Sequence, residues 1–183
     1  LADCYWPGPL TMILDGVPPG LEAIASDGAV GIRCPAHELT SAVLEKADFP
    51  LVMTSANLSD EPIAFEDHEA CRRLNTIADA FLVHNRSIHT RTDDSIARVM
   101  AGRPLLLRRS RGFVPRAIAL PREAPSILAV GAELKNTLCL TRGDRAFLSQ
   151  HVGDLKNLDV YESFKQTIAH LQSILAVQPE KIA

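Results

Sequence analysis

The sequence predicts an α/β fold, and three observations support this prediction. Short apolar runs of strand length recur along the 183 residues and are separated by polar turns. Between two of these runs, residues 37–47 place apolar side chains at helical spacing. After a proline-rich stretch at 115–125, three further strand-length runs lead into a long amphipathic segment. Periodicity alone supports either α/β or α+β, and the order strand, helix, strand favours α/β.

The first part of the chain contains three predicted strands around one helix. A Pro-Gly turn leads into the first strand, and Pro35 ends the second. The helix between the second and third strands places Leu39, Val43 and Ala47 on one side, as an amphipathic helix requires. The predicted strands are 6–14, 29–35 and 50–54, and the predicted helix is 37–47.

The rest of the chain continues this pattern. A predicted helix over 65–77 has acidic residues in its first turn and Arg72 and Arg73 further along, as the helix dipole favours. Three prolines within 115–125 predict an extended linker, because proline disfavours helical conformation in the residue before it. The remaining predicted elements are strands at 80–85, 95–102, 104–110, 126–131, 136–143 and 145–154, and a helix at 158–177.

The composition is that of an ordinary globular protein. The chain is 46% apolar and 22% charged, and no apolar run approaches the roughly 18 residues of a membrane helix. The four cysteines form no C-x-x-C pair and have no histidine at zinc-ligand spacing, so we expect structural thiols in a reducing cytosol. The length suits one core or one and a fraction domains, and Leu1 indicates a piece of a longer protein.

Arginines are concentrated in one segment. Nine lie between Arg86 and Arg122, against only Asp93 and Asp94, so this segment carries a charge of +7 in a chain of net charge −3. Guanidinium groups bind phosphate and carboxylate through paired hydrogen bonds, so the segment predicts an anion site. A solvated or interdomain face is the other interpretation. Nucleic acid is less favoured, because no aromatic residues are interleaved with the arginines.

The segment LVMTSANLS, residues 51–59, ends an apolar run in hydroxyl and amide side chains. Two interpretations stay open. Such residues are common in turns, because their side chains bond the nearby backbone. Alternatively, Thr54, Ser55 and Asn57 face a small ligand beyond the C-terminal end of a buried strand, where open α/β sheets bind ligands.

Three motifs resemble those of the YrdC-type domain, the fold of the threonylcarbamoyl-adenylate synthases. They are WPGPLT at 6–11, VGIRCP at 30–35 and TSAN-S at 54–59, in the order in which the family has them. The resemblance covers about residues 5–121. It implies a twisted mixed sheet with helices that binds a nucleotide, a fold also associated with binding of double-stranded RNA.

Later segments resemble the HypF family of hydrogenase maturation carbamoyltransferases, at the join between two of its domains. They include LLLRRSRGFVPRAIALP at 105–121 and a segment at 130–155 that contains GAELKNT and SQHVGD. The resemblance implies that the second domain opens like a ribonuclease-H-like (actin-like) fold. The predicted organisation is the C-terminal part of a YrdC-like nucleotide-binding domain at 1–121, a linker at 122–126, and the N-terminal part of a HypF-type carbamoyltransferase domain at 127–183.

The HypF resemblance implies an enzyme that forms carbamoyl-adenylate from ATP and carbamoyl phosphate. The carbamoyl group would then pass to a cysteine thiol of a HypE-like acceptor protein, as a step in the maturation of nickel–iron hydrogenase. The resemblance also implies Mg²⁺ with the ATP, a cytoplasmic location and no membrane partner. The metal-binding histidines of the family would lie beyond Ala183, so no metal site is assigned within this chain.

The same resemblance assigns site residues. Ser55, Asn57 and Arg33 would hold the carbamoyl or phosphate oxygens as the catalytic group. A solvated turn lysine is the other interpretation of Lys135, and structural pairing with carboxylates is the other interpretation of each arginine. The residues assigned to nucleotide binding are Thr54, Arg91, Ser95, Arg108, Arg111 and Lys135.

Two other functions stay open. WPGPLT and GIRCP are the forms of the threonylcarbamoyl-adenylate synthases, and HypF proteins usually have TSGN where this chain has TSAN. The acyl group could therefore be threonylcarbamoyl, in the service of tRNA modification. A non-catalytic module that binds RNA or a nucleotide would use the same basic face. Residues 127–155 discriminate best, because a free-standing synthase has no reason to carry the HypF motifs.

Overall fold

The structure is a computed structural model that describes residues 1–58, 61 and 63–183. It divides into two compact units, and each unit combines two stretches that are separated in the sequence. Each unit has its own sheet and its own small core. The first unit comprises Leu1–Val52 and Asp94–Val114, and the second comprises Met53–Asp93 and Pro115–Ala183.

The first unit is built on a mixed sheet of four strands. These are β1 (Leu10–Asp15), β2 (Ala29–Ile32), β3 (Ser95–Met100) and β4 (Arg103–Arg108). Their order is β2-β1-β3-β4, with β1 antiparallel to β2, parallel to β3, and β3 antiparallel to β4. Both β1 and β3 alternate buried and half-buried residues in their first four positions, as strands with one covered face do.

A few apolar side chains form the core of the first unit. Leu10, Met12 and Ala97 are buried, and the partly buried Trp6 and Phe113 pack against them. The indole N–H of Trp6 donates to the carbonyl of Leu10 at 2.6 Å, which satisfies its one polar group. The apolar runs around β1 and β3 are therefore strands because they cover a shared core.

Helices flank both sheets. The sequence predicted three of them, and the structure confirms each within a few residues at the ends. In α3 the acidic residues of the first turn and the two arginines of the last turn complement the helix dipole. The helices are α1 (Ala2–Tyr5), α2 (Glu38–Ala47), α3 (Asp67–Leu74) and α4 (Leu158–Leu175), with a 3-10 turn at Glu22–Ile24.

The second unit has another mixed four-stranded sheet. Its strands are β5 (Ile118–Ala124), β6 (Ile127–Ala129), β7 (Cys139–Leu148) and β8 (Lys181–Ile182), in the order β5-β7-β6-β8. β7 is antiparallel to both neighbours, and β6 is parallel to β8. The buried core under this sheet consists of Leu128, Leu138, Leu140, Leu171 and Leu175.

The chain doubles back within β7. The N–H of Ser149 donates to the carbonyl of Leu138 at 2.8 Å, so the residues on either side of the strand lie side by side. Gly143, with φ +59, lies between the two arms. The strands that the sequence predicts at 136–143 and 145–154 are thus two arms of one hairpin, followed by α4 as predicted.

The long helix α4 is fixed at its first turn and along one face. The side chain of Asn157 accepts a hydrogen bond from the N–H of Asp159 at 2.8 Å, which caps the N-terminus. The buried residues Thr167, Leu171 and Leu175 are spaced four apart and so lie on one face. This face covers the second sheet and completes its core.

Helices and mixed sheets together confirm the predicted α/β class, but two predicted strands are wrong. Neither 50–54 nor 80–85 forms a strand. Both segments leave large apolar side chains exposed, with Val52 at 65% and Leu82 at 68%. An apolar run becomes a strand only when another strand completes its hydrogen bonds, and the described part of the chain supplies none to these two segments.

The prolines at 115–125 do give an extended conformation, but not a free linker. Most of this stretch is β5, whose residues Ile118 and Ala119 pair with Ala146 and Arg145 of β7. The ladder shifts register before Ala124, in the part of the strand that contains a proline. The first three residues of the predicted linker, 122–124, thus belong to β5, and the linker at 122–126 remains a prediction about the domain boundary.

No helix among the described residues is long and apolar enough to cross a membrane.

Candidate functional site

The topology of the first sheet brings four separated strand ends to one edge. Leu10 at the start of β1 pairs with Ser95 at the start of β3, because these strands are parallel. β2 and β4 are antiparallel to them, so their last residues, Ile32 and Arg108, lie at the same edge. Side chains just beyond those ends can therefore meet, although they are far apart in the sequence.

Asp94 is the centre of the cluster at this edge. One oxygen of its carboxylate forms an ion pair with Arg33 and the other forms an ion pair with Arg111. Its backbone carbonyl accepts a hydrogen bond from Nε of Arg108 at 2.9 Å. The structure thus brings together three of the arginines that the sequence analysis assigned to the site, and it joins them through one acidic residue.

Ser95 supports the cluster from below. It is fully buried, its hydroxyl donates to the carbonyl of Arg111 at 2.8 Å, and it accepts from the N–H of Ser110 at 2.9 Å. Its own N–H donates to the carbonyl of Pro9 at 3.1 Å. A buried hydroxyl with these partners fixes the backbone that carries Arg111. The nucleotide contact assigned to Ser95 remains a prediction.

The cluster carries more positive than negative charge. Arg33, Arg108 and Arg111 surround one carboxylate, so the four side chains have a formal charge of +2. The sum would still be +1 if Asp93, the preceding residue in the sequence, were included. Burial, together with the charge of Arg111, lowers the pKa of Arg33 below its ordinary value. Positive charges that disfavour one another in this way create a site that an anion would stabilise.

Arg91 lies in the second unit, in a different environment. Its Nε donates to the carbonyl of Ile63 at 2.9 Å, and its guanidinium lies over the ring of Phe65, 4.6 Å from the centroid. A carboxylate oxygen of Glu69 is 4.0 Å away. These contacts fit a residue that holds the loop before α3, and the nucleotide contact assigned to Arg91 remains a prediction.

The residues of the TSAN motif also lie in the second unit and form a tight turn. The hydroxyl of Ser55 donates to the amide oxygen of Asn57, and the N–H of Asn57 donates to the carbonyl of Ser55 at 3.0 Å. The amide nitrogen of Asn57 donates to the carbonyl of Leu58 at 2.8 Å, and Thr54 makes only a long 3.4 Å contact. Ser59, the last residue of the motif, lies outside the described residues.

This turn has the local bonding that the simpler interpretation expects. Thr54 and Ser55 are nevertheless exposed, so their hydroxyls are accessible to solvent. Turn formation and ligand binding are compatible, because an exposed hydroxyl can exchange a local bond for one to a ligand. The assignment of Ser55 and Asn57 to catalysis therefore remains a prediction.

Lys135 lies on a constrained turn of the second unit. It has a left-handed backbone, φ +50, and its N–H donates to the carboxylate of Asp154 at 2.7 Å. The turn starts at Gly131, where a Cβ would meet the carbonyl oxygen of Thr137 at 2.4 Å. The next residue, Asn136, is buried, and its amide nitrogen donates to the carbonyls of Val130 and Ala132. The turn holds Lys135 at an exposed position, where nucleotide binding remains a prediction.

The residue that sequence reasoning passed over is Asp94. The sequence analysis counted Asp94 only as one of two acids in the arginine-rich segment, whereas the structure makes it the partner of three arginines. A signal was present, because Asp93 and Asp94 are the only acidic residues among nine arginines. An isolated acid in a basic segment is a candidate for holding those bases in place.

Metal binding is not visible in the described part of the chain. No group of three or more His, Cys, Asp or Glu side chains there is close enough to hold an ion. The four cysteines, all of them among the described residues, are not in disulfides.

Two family models match the chain in succession. The model for the Sua5, YciO and YrdC family, described as "Telomere recombination", matches residues 1–110. The model described as "HypF Kae1-like domain" matches residues 122–183. The first match covers more than half of the chain, and the second begins at residue 122, after the first has ended at residue 110.

Individual relatives agree with both matches. Carbamoyltransferase HypF2 of Cupriavidus necator is 52% identical over 137 residues, which are 73% of this chain and 17% of that protein. A crystal structure of full-length HypF in a phosphate- and nucleotide-bound form superimposes with a TM-score of 0.88 at 38% identity, over 94% of this chain and 28% of that one. Threonylcarbamoyl-AMP synthase of Pyrococcus abyssi is 37% identical over 70 residues, 37% of this chain and 20% of that protein.

The chain thus spans less than a third of the length of the HypF proteins it matches, but it does so across both matched domains. The likeness to the synthase is limited to a shorter stretch. The chain belongs to the Sua5, YciO and YrdC family over its first 110 residues, continues into a HypF Kae1-like domain, and is a homologue of the HypF carbamoyltransferases.

Proposed function

We propose that this chain is part of a carbamoyltransferase that makes carbamoyl-adenylate from ATP and carbamoyl phosphate. The observation that carries the proposal is the continuous likeness to HypF over 94% of the chain, from the first unit into the HypF Kae1-like domain. A related HypF was crystallised with phosphate and nucleotide bound. The Asp94 cluster supports the proposal, because its excess positive charge suits a polyphosphate.

The proposed reaction has three balanced steps. Water releases phosphate from carbamoyl phosphate and leaves carbamate. A carbamate oxygen attacks the α-phosphorus of ATP, the bond to the bridging oxygen breaks, and pyrophosphate leaves. The sulfur of an acceptor cysteine then attacks the carbamoyl carbon and gives a thiocarbamate, AMP and one proton. Adenylation of this kind is catalysed by positioning and by neutralisation of phosphate charge.

Residue roles follow from this reaction. Ser55, Asn57 and Arg33 would hold the carbamoyl and α-phosphate oxygens in the reacting geometry. Arg108 and Arg111 would neutralise the departing pyrophosphate, while Ser95 fixes the backbone of Arg111. The remaining residues proposed to contact the nucleotide are Thr54, Arg91 and Lys135.

Cofactor, partner and location are also proposed. ATP would bring Mg²⁺ bound to its phosphates, so the ion would arrive with the ligand, and the described residues themselves form no group of three metal ligands. A metal ion in the transferase domain would be held by residues beyond Ala183. The acceptor would be a HypE-like protein with a reactive cysteine, in the cytoplasm, with hydrogenase maturation as the process served.

The proposed domain division follows the matched regions. Residues 1–121 would form the YrdC-like part and 127–183 the transferase part, with 122–126 between them. The two family matches, at 1–110 and 122–183, support a boundary in this region. β5 belongs to the second sheet, which places the change of sheet a few residues earlier, before Ile118.

A second candidate is adenylate formation with threonine and bicarbonate. The match of 70 residues to a threonylcarbamoyl-AMP synthase supports this candidate. The HypF Kae1-like domain does not, because tRNA modification by a free-standing synthase leaves this domain without a role.

Pyrophosphate exchange into ATP separates the candidates. The full-length protein is incubated with ATP, Mg²⁺ and labelled pyrophosphate, either with carbamoyl phosphate or with threonine and bicarbonate. We expect exchange in the first mixture only. Exchange in the second mixture alone would replace our proposal with the synthase, and exchange in neither would favour a binding module. Ser55→Ala and Asn57→Ala should remove exchange while the unfolding midpoint stays within a few degrees of the wild type.

A further inference from the structure

We propose that Asp94 is a positioning residue that sets the separation of Arg33, Arg108 and Arg111, so that the site prefers linked phosphates to a single anion. The proposal rests on the proposed function for its substrate class, a nucleoside triphosphate with pyrophosphate as the leaving group. Its geometric part depends only on the cluster.

The first argument is that Asp94 uses a different oxygen for each arginine. Oδ2 pairs with Nη1 of Arg33, Oδ1 pairs with Nη2 of Arg111, and the backbone carbonyl accepts from Nε of Arg108. The two carboxylate oxygens are at a fixed separation and the carbonyl belongs to the same residue, so Asp94 limits how far apart the three guanidinium groups can lie. Each such contact restricts the rotamers of an arginine before a ligand arrives.

The second argument concerns exposure. The Asp94 side chain is 10% exposed, whereas Arg33 is 25% and Arg111 is 50% exposed. The carboxylate is thus covered by the groups it holds, and an incoming anion meets guanidinium nitrogen before carboxylate oxygen. A residue in this place orders the site without repelling the ligand strongly.

The third argument is that Asp94 itself is anchored. Ser95, the next residue, donates its N–H to Pro9 and its hydroxyl to Arg111, and it accepts from Ser110. Asp94 also forms a parallel bridge with Arg111. Backbone and side chain therefore connect the same two segments, and the spacing of the arginines is tied to the strands that carry them.

Charge and spacing make opposite predictions when the carboxylate is removed. Asp94→Asn raises the formal charge of the four side chains from +2 to +3, so attraction for any anion should increase. It also releases two arginines from a charged partner, so a site tuned to the spacing of linked phosphates should lose its preference. A residue with a merely structural role would change both anion affinities together.

The test is calorimetric titration of the full-length protein with pyrophosphate and, separately, with sulfate. We expect wild type to bind pyrophosphate at least about tenfold more tightly than sulfate. In Asp94→Asn, the dissociation constant for sulfate divided by that for pyrophosphate should fall to about one third of its wild-type value or less. The affinity for sulfate should be unchanged or higher. Asp94→Glu keeps the charge but adds a methylene, and it should also lower the ratio.

The matched control is Asp15→Asn. Asp15 forms an ion pair with Arg98 in the same sheet, but its side chain is 72% exposed. The anion preference should not change in this variant. An unchanged preference in both Asp94 variants, or an equal loss of both affinities, would overturn the proposal. If Asp94→Asn fails to fold, the Asp94→Glu titration decides, because it retains both ion pairs.

Exchange activity tests the link to function. In Asp94→Asn, pyrophosphate exchange should fall about tenfold or more through kcat, with little change in KM for ATP. If kcat is unchanged while the preference for pyrophosphate falls, Asp94 does not act in the reaction, and its positioning role in the reaction is overturned. If wild type exchanges with neither acyl substrate, the proposed function fails, while the pyrophosphate and sulfate titrations still test the geometric part.

Discussion

Two clusters in this chain both contain arginine, but they differ in the balance of positive and negative side chains. In the first unit, Arg33, Arg108 and Arg111 surround the single carboxylate of Asp94. In the second unit, Arg73 lies between two carboxylates: it forms an ion pair with Glu61 and bonds Glu69 at 2.8 Å. One group has cations in excess, and the other has its cation fully matched by acids.

The pKa values of Arg33 and Arg73, one residue from each group, shift in opposite directions. Burial, followed by the charge of Arg111, lowers the pKa of Arg33. The hydrogen bond to Glu61 is the main cause that raises the pKa of Arg73. Both groups stay charged at neutral pH, so the difference concerns what each would gain from a new anion. An arginine that already has two acids gains little, whereas an arginine crowded by another gains more.

The largest effect that would sharpen this comparison is expected for Arg33→Gln. Pyrophosphate exchange should fall about 100-fold, because a preorganised cation at a developing phosphate charge is lost. The unfolding midpoint should change by less than a few degrees, since the side chain is already disfavoured by Arg111. Exchange rate and thermal unfolding of the full-length protein are the two measurements.

Arg98→Gln is the control for this change. Arg98 lies on β3 of the same sheet and pairs with the exposed Asp15. Its exchange rate should match that of wild type. Equal activity of Arg33→Gln and wild type would remove the Asp94 cluster from the proposed reaction.

Arg73→Gln is expected to have a smaller effect, and to change stability instead of exchange activity. The free energy of unfolding should fall by about 1–2 kcal/mol, because Glu61 and Glu69 lose their shared partner in a partly exposed setting. KM for ATP should not change. Denaturant unfolding checks the first point and exchange kinetics the second. The control is Arg72→Gln, which changes an exposed neighbour in α3 and should leave both values as they are. A raised KM with normal stability in Arg73→Gln would reverse our assignment of Arg73.

The smallest effect is expected for Arg91→Gln, which decides between two roles. The contacts of Arg91 with Ile63 and Phe65 predict a loss of stability of about 1 kcal/mol. The proposed nucleotide contact predicts a higher KM for ATP. Chemical denaturation and exchange kinetics on the same variant separate the two. A normal KM with lowered stability would confine Arg91 to the loop before α3.

Apolar patterning predicted most of the fold, and its failures have one cause. The runs that became β1 and β3 found partners at Ile32 and Arg108, among others. The runs at 50–54 and 80–85 are also apolar, but no strand lies beside them in the described chain. A local pattern reports that a segment is apolar, while pairing depends on residues far away in the sequence.

The sequence could predict which type of residue forms the candidate site, but not which individual residues belong to it. The excess of arginine over acid in 86–122 pointed to an anion site, and two arginines of that segment, Arg108 and Arg111, do converge with Arg33. Local sequence could not separate Arg91 from Arg111, because the deciding contacts, with Phe65 and Asp94, depend on the topology. Asp94 was passed over for the same reason.

The parallel pairing of β1 with β3 also sets the order in which the protein can be assembled. Leu10 pairs with Ser95, about 85 positions later in the chain. Contacts across such a separation form slowly, because the intervening chain must first give up its freedom. A ribosome that has released the chain only as far as Asp93 has therefore produced β1 and β2 but no binding edge. The anion site is complete only after Arg111 has emerged.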